Sequence, residues 1–386
     1  MTFMAAGSLQ RVSQPDVVVV GGGLVGMSAA YGAARRGAVV TVIEPGGSGS
    51  ATAAGAGIIA PGSNFPPSDV LLPLVKAAIR YYPELHAALA ADGEEDTGYA
   101  TTGCLHVAVS EAEEEQLATV LARVREREAA GFPHVGEGRL VSGDEARSLF
   151  PPLSEEARSA VLMPHYGRVD GRLLRAALAA ASERRGVERL NESAELERRG
   201  DRVVVRAGRR VIDTGAVILA AGAWSGALAA AAGVELPVWH QRGQIAHLSW
   251  PGQDTSAWPI ALGFHSYYLL AFPPDRIVAG ATRERAGVDE RVTAGGVKEV
   301  LDEALRVAPG LAEATLVEMR VGFRPYMPDE TPALGRAPGL DNLLIATGHG
   351  GYGLQLGPYS GALVADMALG HEAPLDLAPY DPGRFS

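Results

Sequence analysis

The chain has 386 residues and a formal net charge of −11, from 34 Lys+Arg against 45 Asp+Glu. Its length allows a large core and two domains, at the usual size of about 100–200 residues per domain. The acidic balance excludes the basic surface that nucleic-acid binding needs, and the single cysteine excludes an internal disulfide and a cysteine-ligated metal or iron–sulfur site.

The first predicted elements carry a phosphate-binding motif. Four valines, Val17 to Val20, predict a buried parallel strand, and Gly21, Gly23 and Gly26 follow in G-x-G-x-x-G spacing. In this motif the first glycine permits a tight turn, the second lets a pyrophosphate approach the backbone, and the third lets the helix pack on the strand. A helix is expected from residue 24 to residue 36, with its N-terminal N–H groups facing the phosphates.

A second strand at 39–43 ends in Glu44, 18 residues after Gly26. An acidic side chain at this position accepts hydrogen bonds from the adenosine ribose hydroxyls, and it repels a 2′-phosphate, which argues against NADP. The order of strand, glycines, helix, strand and Glu44 predicts a dinucleotide site. The motif alone does not separate FAD from NAD.

Residues 45–58 are almost entirely Gly, Ala, Ser and Thr. Such a segment is either a flexible linker or a backbone surface that packs against a ligand. Its place after the ribose-binding strand favours the second interpretation, with Ser48, Ser50 and Thr52 as hydrogen-bond donors to phosphate or flavin.

Further elements follow from periodicity and turn residues. Cys104 is expected to be a small buried residue in a strand at 102–109, and residues 216–221 predict another parallel strand of the nucleotide sheet. Alternating and aromatic runs between 238 and 283 predict an antiparallel substrate platform. Helices are expected at 68–91, 111–130, 171–185 and 296–308, and strands at 202–207, 209–213, 316–323 and 343–346.

Several ordered motifs give the chain a family resemblance. They are VVVVGGGLVG with Glu44, HYGRVDGRLLRAAL, VILAAGAWS, RGQ at 242–244, YYLLAFPPDRIVAGATRE, VGFRPYMPDETPALG and LIATGHGGYGLQLGP. Together they span nearly the whole sequence and resemble the D-amino acid oxidase superfamily of FAD-dependent amine oxidoreductases. The pattern is most similar to glycine oxidases and D-amino acid dehydrogenases, with sarcosine oxidases as a further branch.

The resemblance implies an α/β fold with a Rossmann-like FAD-binding domain and a substrate domain built on a mixed, largely antiparallel sheet. The expected FAD-binding domain comprises 1–60, 145–236 and 320–386, and the substrate domain 61–144 and 237–319. FAD is expected to be non-covalent, because Cys104 lies far from the C-terminal cysteine of the covalent branch. The expected FAD contacts are Gly21, Gly23, Leu24, Val25, Gly26, Glu44, Ser50, Ala51, Thr52, Gly57, Ile58, Ala221, Gly222, Trp224, Gly348, His349, Gly350, Gly351, Tyr352 and Gly353.

For the substrate, Arg324 occupies the position where this family places an arginine that binds the substrate carboxylate; the alternative is a structural ion pair. Tyr268 is the expected second carboxylate or lid contact, while Tyr267 points to the opposite face of a regular strand. His265 either lines the pocket or is an ordinary strand histidine, and the second reading is preferred. Tyr352 presents a phenol from the C-terminal glycine loop, whose helix dipole would stabilise negative charge on the reduced flavin.

Two departures from the family pattern bear on chemistry. Glycine oxidases carry a second arginine where this chain has Gly351, so a larger or more apolar substrate, or one without that contact, fits better. Sarcosine-oxidase relatives use a lysine to activate O2. Lys76 and Lys298, the only lysines, lie on no predicted substrate strand, which gives weight to a quinone or another electron acceptor.

The expected function is FAD-dependent oxidative deamination of a small or neutral amino acid, with a D-amino acid preferred. Hydride would pass from the α-carbon to flavin N5, and water would hydrolyse the imino acid to a 2-oxo acid and ammonia. The rivals are a secondary-amine oxidoreductase acting on sarcosine, proline or opine-like compounds, a non-catalytic flavoprotein subunit and an NAD-binding dehydrogenase. No signal-peptide core and no bilayer-spanning apolar stretch were found in the sequence, so a cytoplasmic location is expected, with peripheral membrane contact and oligomeric state left open.

Overall fold

The computed structural model describes residues 14–60 and 69–385. Within these ranges the α-helices are α1 Leu24–Arg35, α2 Ala51–Ala54, α3 Leu72–Ala91, α4 Glu111–Ala129, α5 Gly143–Leu149, α6 Gly171–Arg184, α7 Ser225–Ala231, α8 Ala294–Val307 and α9 Gly353–Ala368. The first ten strands are β1 Val17–Val20, β2 Val40–Ile43, β3 Ile58–Ile59, β4 Ala100–Thr101, β5 Cys104–Ala108, β6 Arg139–Ser142, β7 Ser159–Met163, β8 Gly167–Arg168, β9 Glu188–Leu190 and β10 Ala194–Arg199. The others are β11 Arg202–Ala207, β12 Arg210–Ile212, β13 Ala216–Leu219, β14 Trp239–Ser249, β15 Ile260–Leu262, β16 Tyr268–Phe272, β17 Arg276–Gly280, β18 Thr315–Tyr326, β19 Ala333–Arg336 and β20 Leu343–Thr347.

A six-stranded sheet in the order β19-β20-β13-β1-β2-β9 carries the glycine motif. All its pairs are parallel except β19 with β20. The valines of β1 are at most 2% exposed, as expected of a strand covered on both faces. One face packs against α1, α3, α6 and α9, and the other against the β10–β12 sheet and α7. The predicted nucleotide-binding sheet, including the return of the chain at β13, is confirmed.

Helices α1 and α9 cross at very short range. A Cβ added at Gly361 on α9 would collide with the carbonyl oxygen of Val25 on α1, and one at Gly32 would meet Ala362 and Ala365. Small residues therefore let the two backbones approach each other. This packing fixes the N-terminus of α1, next to the glycine motif, relative to the N-terminus of α9, next to the C-terminal glycine loop.

An eight-stranded sheet in the order β18-β14-β17-β16-β15-β5-β7-β6 forms the second layer system. Its pairs are antiparallel except β15 with β5, so the predicted mixed, largely antiparallel sheet is confirmed. The fold is thus mixed α/β. Cys104 lies fully buried in β5, where burial raises the pKa of its thiol, which agrees with its predicted packing role.

Sheet membership bears on the predicted domain boundaries, which stay a prediction. β7 lies inside the 145–236 segment assigned to the FAD-binding domain, yet it pairs with β5 and β6 of the eight-stranded sheet. Hydrogen bonding therefore favours a second FAD-domain segment that begins after Met163. Residues 1–13, part of the predicted first segment, and residues 61–68, which include the first residue of the predicted helix at 68–91, lie outside the described residues. Among the described residues, no helix is both long and apolar enough to cross a bilayer.

Candidate active site

A cavity of about 1040 Å³ opens where the carboxyl ends of β1, β2, β13 and β20 face the eight-stranded sheet. Ligands of parallel α/β sheets bind at this edge. It is lined by these residues predicted from the sequence: Gly21, Gly23, Leu24, Val25, Glu44, Ser50, Ala51, Thr52, Gly57, Ile58, Ala221, Gly222, Trp224, Tyr268, Arg324, His349, Gly350, Gly351 and Gly353. Three further predicted residues, Gly26, Gly348 and Tyr352, do not line it.

The glycine motif forms one end of the cavity. Gly21 has φ +107°, a conformation that only glycine adopts readily, and an added Cβ would collide with the carbonyl oxygen of Ala220, which directly follows β13. Gly26 lies behind the motif, where an added Cβ would collide with the carbonyl oxygen of Gly21. Gly26 therefore supports the site by letting α1 approach β1 and contributes no surface to the cavity.

Glu44 and Arg175 both form hydrogen bonds with the backbone of the glycine motif. The backbone N–H of Gly22 donates to Glu44 Oε2 at 2.5 Å, and Arg175 Nε donates to the carbonyl oxygen of Gly22 at 2.6 Å. Arg175 and Arg172, both near the start of α6, line the cavity as well. Neither arginine was predicted, because their approach to Gly22 depends on the tertiary position of α6. The only local signal was the motif HYGRVDGRLLRAAL itself.

The Gly/Ser-rich segment is folded and lies against the cavity, so the linker alternative is wrong. It contains α2 and β3, and Gly49 accepts a hydrogen bond at 3.0 Å from the backbone N–H of Phe323 on β18. Thr52 Oγ1 accepts from the backbone N–H of Leu24 at 3.1 Å, which leaves its own hydroxyl proton free to donate. Ser48 donates instead to Glu290.

The C-terminal glycine loop forms the other end. A 3₁₀ turn at Gly350–Tyr352 leads into α9, whose N-terminus faces the cavity. His349 lines the cavity at 3% exposure, and its Nε2 has no hydrogen-bond partner within the described residues. Burial lowers the pKa of His349 to about 4, so the ring is neutral at physiological pH and offers Nε2 to a bound group.

Arg324 is a cation in this cavity for which the described residues supply no acidic partner. Its Nη1 donates to Gln241 Oε1 at 3.2 Å and to the carbonyl oxygen of Thr282 at 3.0 Å, both neutral. No carboxylate in the described part of the chain lies within ion-pair distance of it. Burial lowers the pKa of Arg324. The alternative of a structural ion pair therefore has no support, and the geometry suits an anion that arrives with the substrate.

Tyr268 and Tyr267 point in opposite directions, as predicted. Tyr268 lines the cavity, and burial raises its pKa while the charges of Arg324 and Arg283 oppose that rise. The hydroxyl of Tyr267 donates to Glu299 on α8. His265 lies in the turn before β16, paired with Glu303 at 3.1 Å, so it is an ordinary histidine outside the cavity, although not within a strand.

Tyr352 lies behind the loop surface. Its pKa is raised by burial, then by Tyr326 and Glu330, so its phenol is a neutral group near those side chains. Its predicted contact with flavin or substrate stays a prediction. Neither lysine lines the cavity: Lys76 donates to the carbonyl oxygen of Ala130, and Lys298 pairs with Asp302.

The residues that line the cavity are suited to bind FAD. The glycines of the cavity leave the backbone accessible where any side chain would occupy the space, and two helix N-termini face it. The cavity also has an acidic side chain beside the glycine motif, and His349 Nε2 has no hydrogen-bond partner among the described residues. In the described residues, no group of three or more His, Cys, Asp or Glu could hold a metal ion.

Comparison with known proteins places this site in a family. Residues 16–367 match the family described as DAO, FAD dependent oxidoreductase. The uncharacterized oxidoreductase YurR of Bacillus subtilis is 39% identical over 95% of this chain and 98% of its own length. The solved iminodiacetate oxidase (IdaA) of Chelativorans sp. BNC1 superposes with a TM-score of 0.91 at 40% identity, covering 95% of this chain and 98% of that one.

The solved glycine oxidase of Geobacillus kaustophilus superposes with a TM-score of 0.86 at 29% identity, covering 96% of this chain and 98% of that one. The family model spans most of the sequence, and the predicted FAD motifs lie within it. The chain therefore belongs to the DAO family of FAD-dependent oxidoreductases, and it is an FAD-dependent oxidoreductase of amines or amino acids.

Proposed function

We propose that this enzyme oxidises a secondary amine of the amino-acid type, a glycine that carries a substituent on its nitrogen. The observation that carries the amino-acid part of the proposal is Arg324, a cavity-lining guanidinium whose described partners are all neutral, and the similarity to a structure named iminodiacetate oxidase supports the secondary amine. Iminodiacetate, the substrate in the name of a structural neighbour, is such a compound. This proposal replaces the D-amino acid preferred from the sequence as the first candidate.

Arg324 would bind the substrate carboxylate through its planar fork. Gln241 of β14 and Thr282, which follows β17, both accept hydrogen bonds from Nη1 of Arg324 and fix the guanidinium. The fixed guanidinium would orient the bound carboxylate, and with it the neighbouring α-carbon. Tyr268 lies beside this position, and the raised pKa of its phenol keeps it a neutral donor at physiological pH. These residues bind and orient the substrate.

The chain also favours the neutral amine. The fixed charge of Arg324 and the partly apolar cavity both disfavour an ammonium, so the pKa of the bound amine falls. His349 stays neutral and adds no competing charge. When bound, FAD would accept a hydride, two electrons and one proton, from the α-carbon of the neutral amine. Water would then add to the iminium ion that remains, which loses one proton as it is hydrolysed to glyoxylate and the released amine.

A second candidate, a neutral D-amino acid, is favoured by one observation at Gly351. A Cβ built there meets no atom of the described residues within 4 Å, so a substrate side chain could lie against this part of the loop. The electron acceptor is proposed to be O2 or a quinone. The absence of a lysine from the described cavity lining leaves both open.

The test is anaerobic bleaching of the yellow enzyme by sarcosine, iminodiacetate, glycine and D-alanine, followed by admission of air. Faster bleaching by the two N-substituted glycines supports the proposal. Faster bleaching by D-alanine replaces it with the second candidate. The rate of reoxidation in air then separates an oxidase from a dehydrogenase.

A further inference from the structure

A second arginine lies close to the proposed carboxylate site. Arg283 follows β17 by three residues, and its Nη2 donates to the carbonyl oxygen of Ser266 at 3.1 Å. Its Nη1 reaches the carbonyl oxygen of Ala281 at 3.5 Å. The side chain is exposed, and no carboxylate of residues 14–60 or 69–385 lies within ion-pair distance.

Two backbone contacts tie Arg283 to the cavity wall. Thr282, its chain neighbour, gives its carbonyl oxygen to Arg324 at 3.0 Å. Ser266, which Arg283 holds, lies two residues before Tyr268, a residue of the cavity lining. Arg283 itself does not line the cavity, but its charge adds to burial in lowering the pKa of Arg324, whose guanidinium would bind the first carboxylate. We call this position, outside the lining residues and near Arg324, the rim of the pocket.

The electrostatics agree with this position. Burial raises the pKa of Tyr268 and of Tyr326, and the charges of Arg324 and then Arg283 act against that rise, with Glu330 adding to it at Tyr326. Arg283 also acts against the rise at Tyr352 in the C-terminal loop. The charge of Arg283 thus acts on three tyrosines near Arg324, of which Tyr268 lines the cavity.

The other charged groups of this loop, residues 281–293, are already engaged. Arg291 pairs with Asp289 at 2.8 Å, and Arg285 lies over the ring of Trp239 at 4.8 Å. Glu284, the neighbour of Arg283, accepts hydrogen bonds from Arg242, Gln244 and Thr282. The carboxylate of Glu284 is therefore occupied by these three residues and forms no ion pair with Arg283. Because Glu284 is fixed in this way, the neighbouring backbone of Arg283 has a defined position.

We propose that Arg283 binds a second carboxylate of the substrate, so that the preferred substrates are secondary amines with a carboxylate-bearing arm on each side of the nitrogen. This inference rests on the proposed function, since Arg324 must hold the first carboxylate. Arg283 then determines which N-substituent is accepted. Glycine oxidases carry their second arginine at the position of Gly351. In this chain Arg283 would supply the second cation from a different segment.

Binding is measured without turnover, from the change in flavin absorbance of the FAD-loaded enzyme with two ether analogues. Oxydiacetate carries two carboxylates, methoxyacetate carries one, and neither can form an imine. We expect oxydiacetate to bind at least about 10-fold more tightly than methoxyacetate, because its second carboxylate gains one charge-assisted hydrogen bond at a solvent-exposed arginine. Arg283→Gln should remove that preference, Arg283→Lys should restore part of it, and Arg285→Gln should keep it.

The kinetic experiment compares iminodiacetate with N-(2-hydroxyethyl)glycine, which has a similar length but carries a hydroxyl group in place of the second carboxylate. The ratio of their kcat/KM values should fall about 10-fold in Arg283→Gln and stay at the wild-type value in Arg285→Gln. Equal ratios in wild type and Arg283→Gln, with both compounds oxidised, would overturn the second carboxylate site alone. Failure of sarcosine and iminodiacetate alike to bleach the flavin would overturn the proposed function instead.

Discussion

The Nη1 of Arg324 donates to the carbonyl oxygen of Thr282 at 3.0 Å, which fixes a cation of β18 against the segment that follows β17. A partly buried charge is costly unless it is paired, and the described hydrogen-bond partners of Arg324 are a carbonyl and an amide oxygen. In the proposed function this positive charge would bind the carboxylate of the substrate.

Arg324→Ala should lower kcat/KM for a confirmed amino-acid substrate by about 100-fold or more, because two charge-assisted hydrogen bonds are lost. Arg324→Lys keeps the charge without the planar fork and should recover only part of that loss. Steady-state kinetics on variants with full flavin content measure both. A wild-type kcat/KM in the alanine variant would remove Arg324 from the site.

Tyr268→Phe should raise KM by about fivefold, since one neutral hydrogen bond to the substrate region disappears. Tyr267→Phe is the matched control, because the neighbouring phenol points to Glu299 on α8. The control should keep the wild-type KM. If the two variants behaved alike, the predicted contact of Tyr268 with the carboxylate would be wrong.

Gly26→Ala should destabilise the protein by about 3 kcal/mol or more and abolish FAD retention, because the new Cβ collides with the backbone of Gly21. Gly295→Ala is the control: it lies in α8, where an added Cβ meets nothing within 4 Å, and it should be neutral or slightly stabilising. Thermal unfolding and flavin content report both effects. A stable, yellow Gly26→Ala protein would contradict the close packing of α1 on β1.

His106 should make folding sensitive to acid. It is 2% exposed, neither ring nitrogen has a hydrogen-bond partner in the described residues, and burial lowers its pKa to about 4. Since the unfolded pKa is higher, about 6.5, the unfolded state binds the proton first as pH falls. The contribution of neutral His106 to the free energy of unfolding is therefore fully present above pH ~6.5 and is lost as pH falls toward ~4.

His106→Leu removes this titration. Between pH ~7.5 and ~5 the variant should lose about 2 kcal/mol less unfolding free energy than the wild type does, measured by chemical denaturation with equal FAD in both. The comparison of the two proteins cancels the pH dependence of all other groups. An identical pH dependence would show that His106 is not buried as a neutral ring.

Sequence reasoning succeeded where structure is set by neighbouring residues. The run from Val17 to Glu44 carries its strand, turn and helix signals within one βαβ unit, and its strands pair as expected. The opposite directions of Tyr267 and Tyr268 follow from the two-residue period of a strand. The GFRP motif predicted Arg324 as a site residue, but only the structure shows that its partners among the described residues are neutral.

Contacts between distant segments could not be predicted in the same way. Arg175 reaches Gly22 across 153 positions, and Arg283 becomes a rim residue only because Thr282 meets Arg324. Likewise, β7 gives no local sign that it belongs to the eight-stranded sheet and not to the segments that follow it. Such placements depend on how helices and sheets pack, which the composition of a segment does not encode.

The most direct measurement is the anaerobic rate of flavin reduction by sarcosine compared with N-methylethanolamine, a secondary amine of similar size without a carboxylate. The account predicts that sarcosine reduces the flavin about 100-fold faster at equal concentration, and that Arg324→Ala abolishes the difference. Equal rates for the two amines in the wild-type enzyme would contradict a carboxylate site at Arg324.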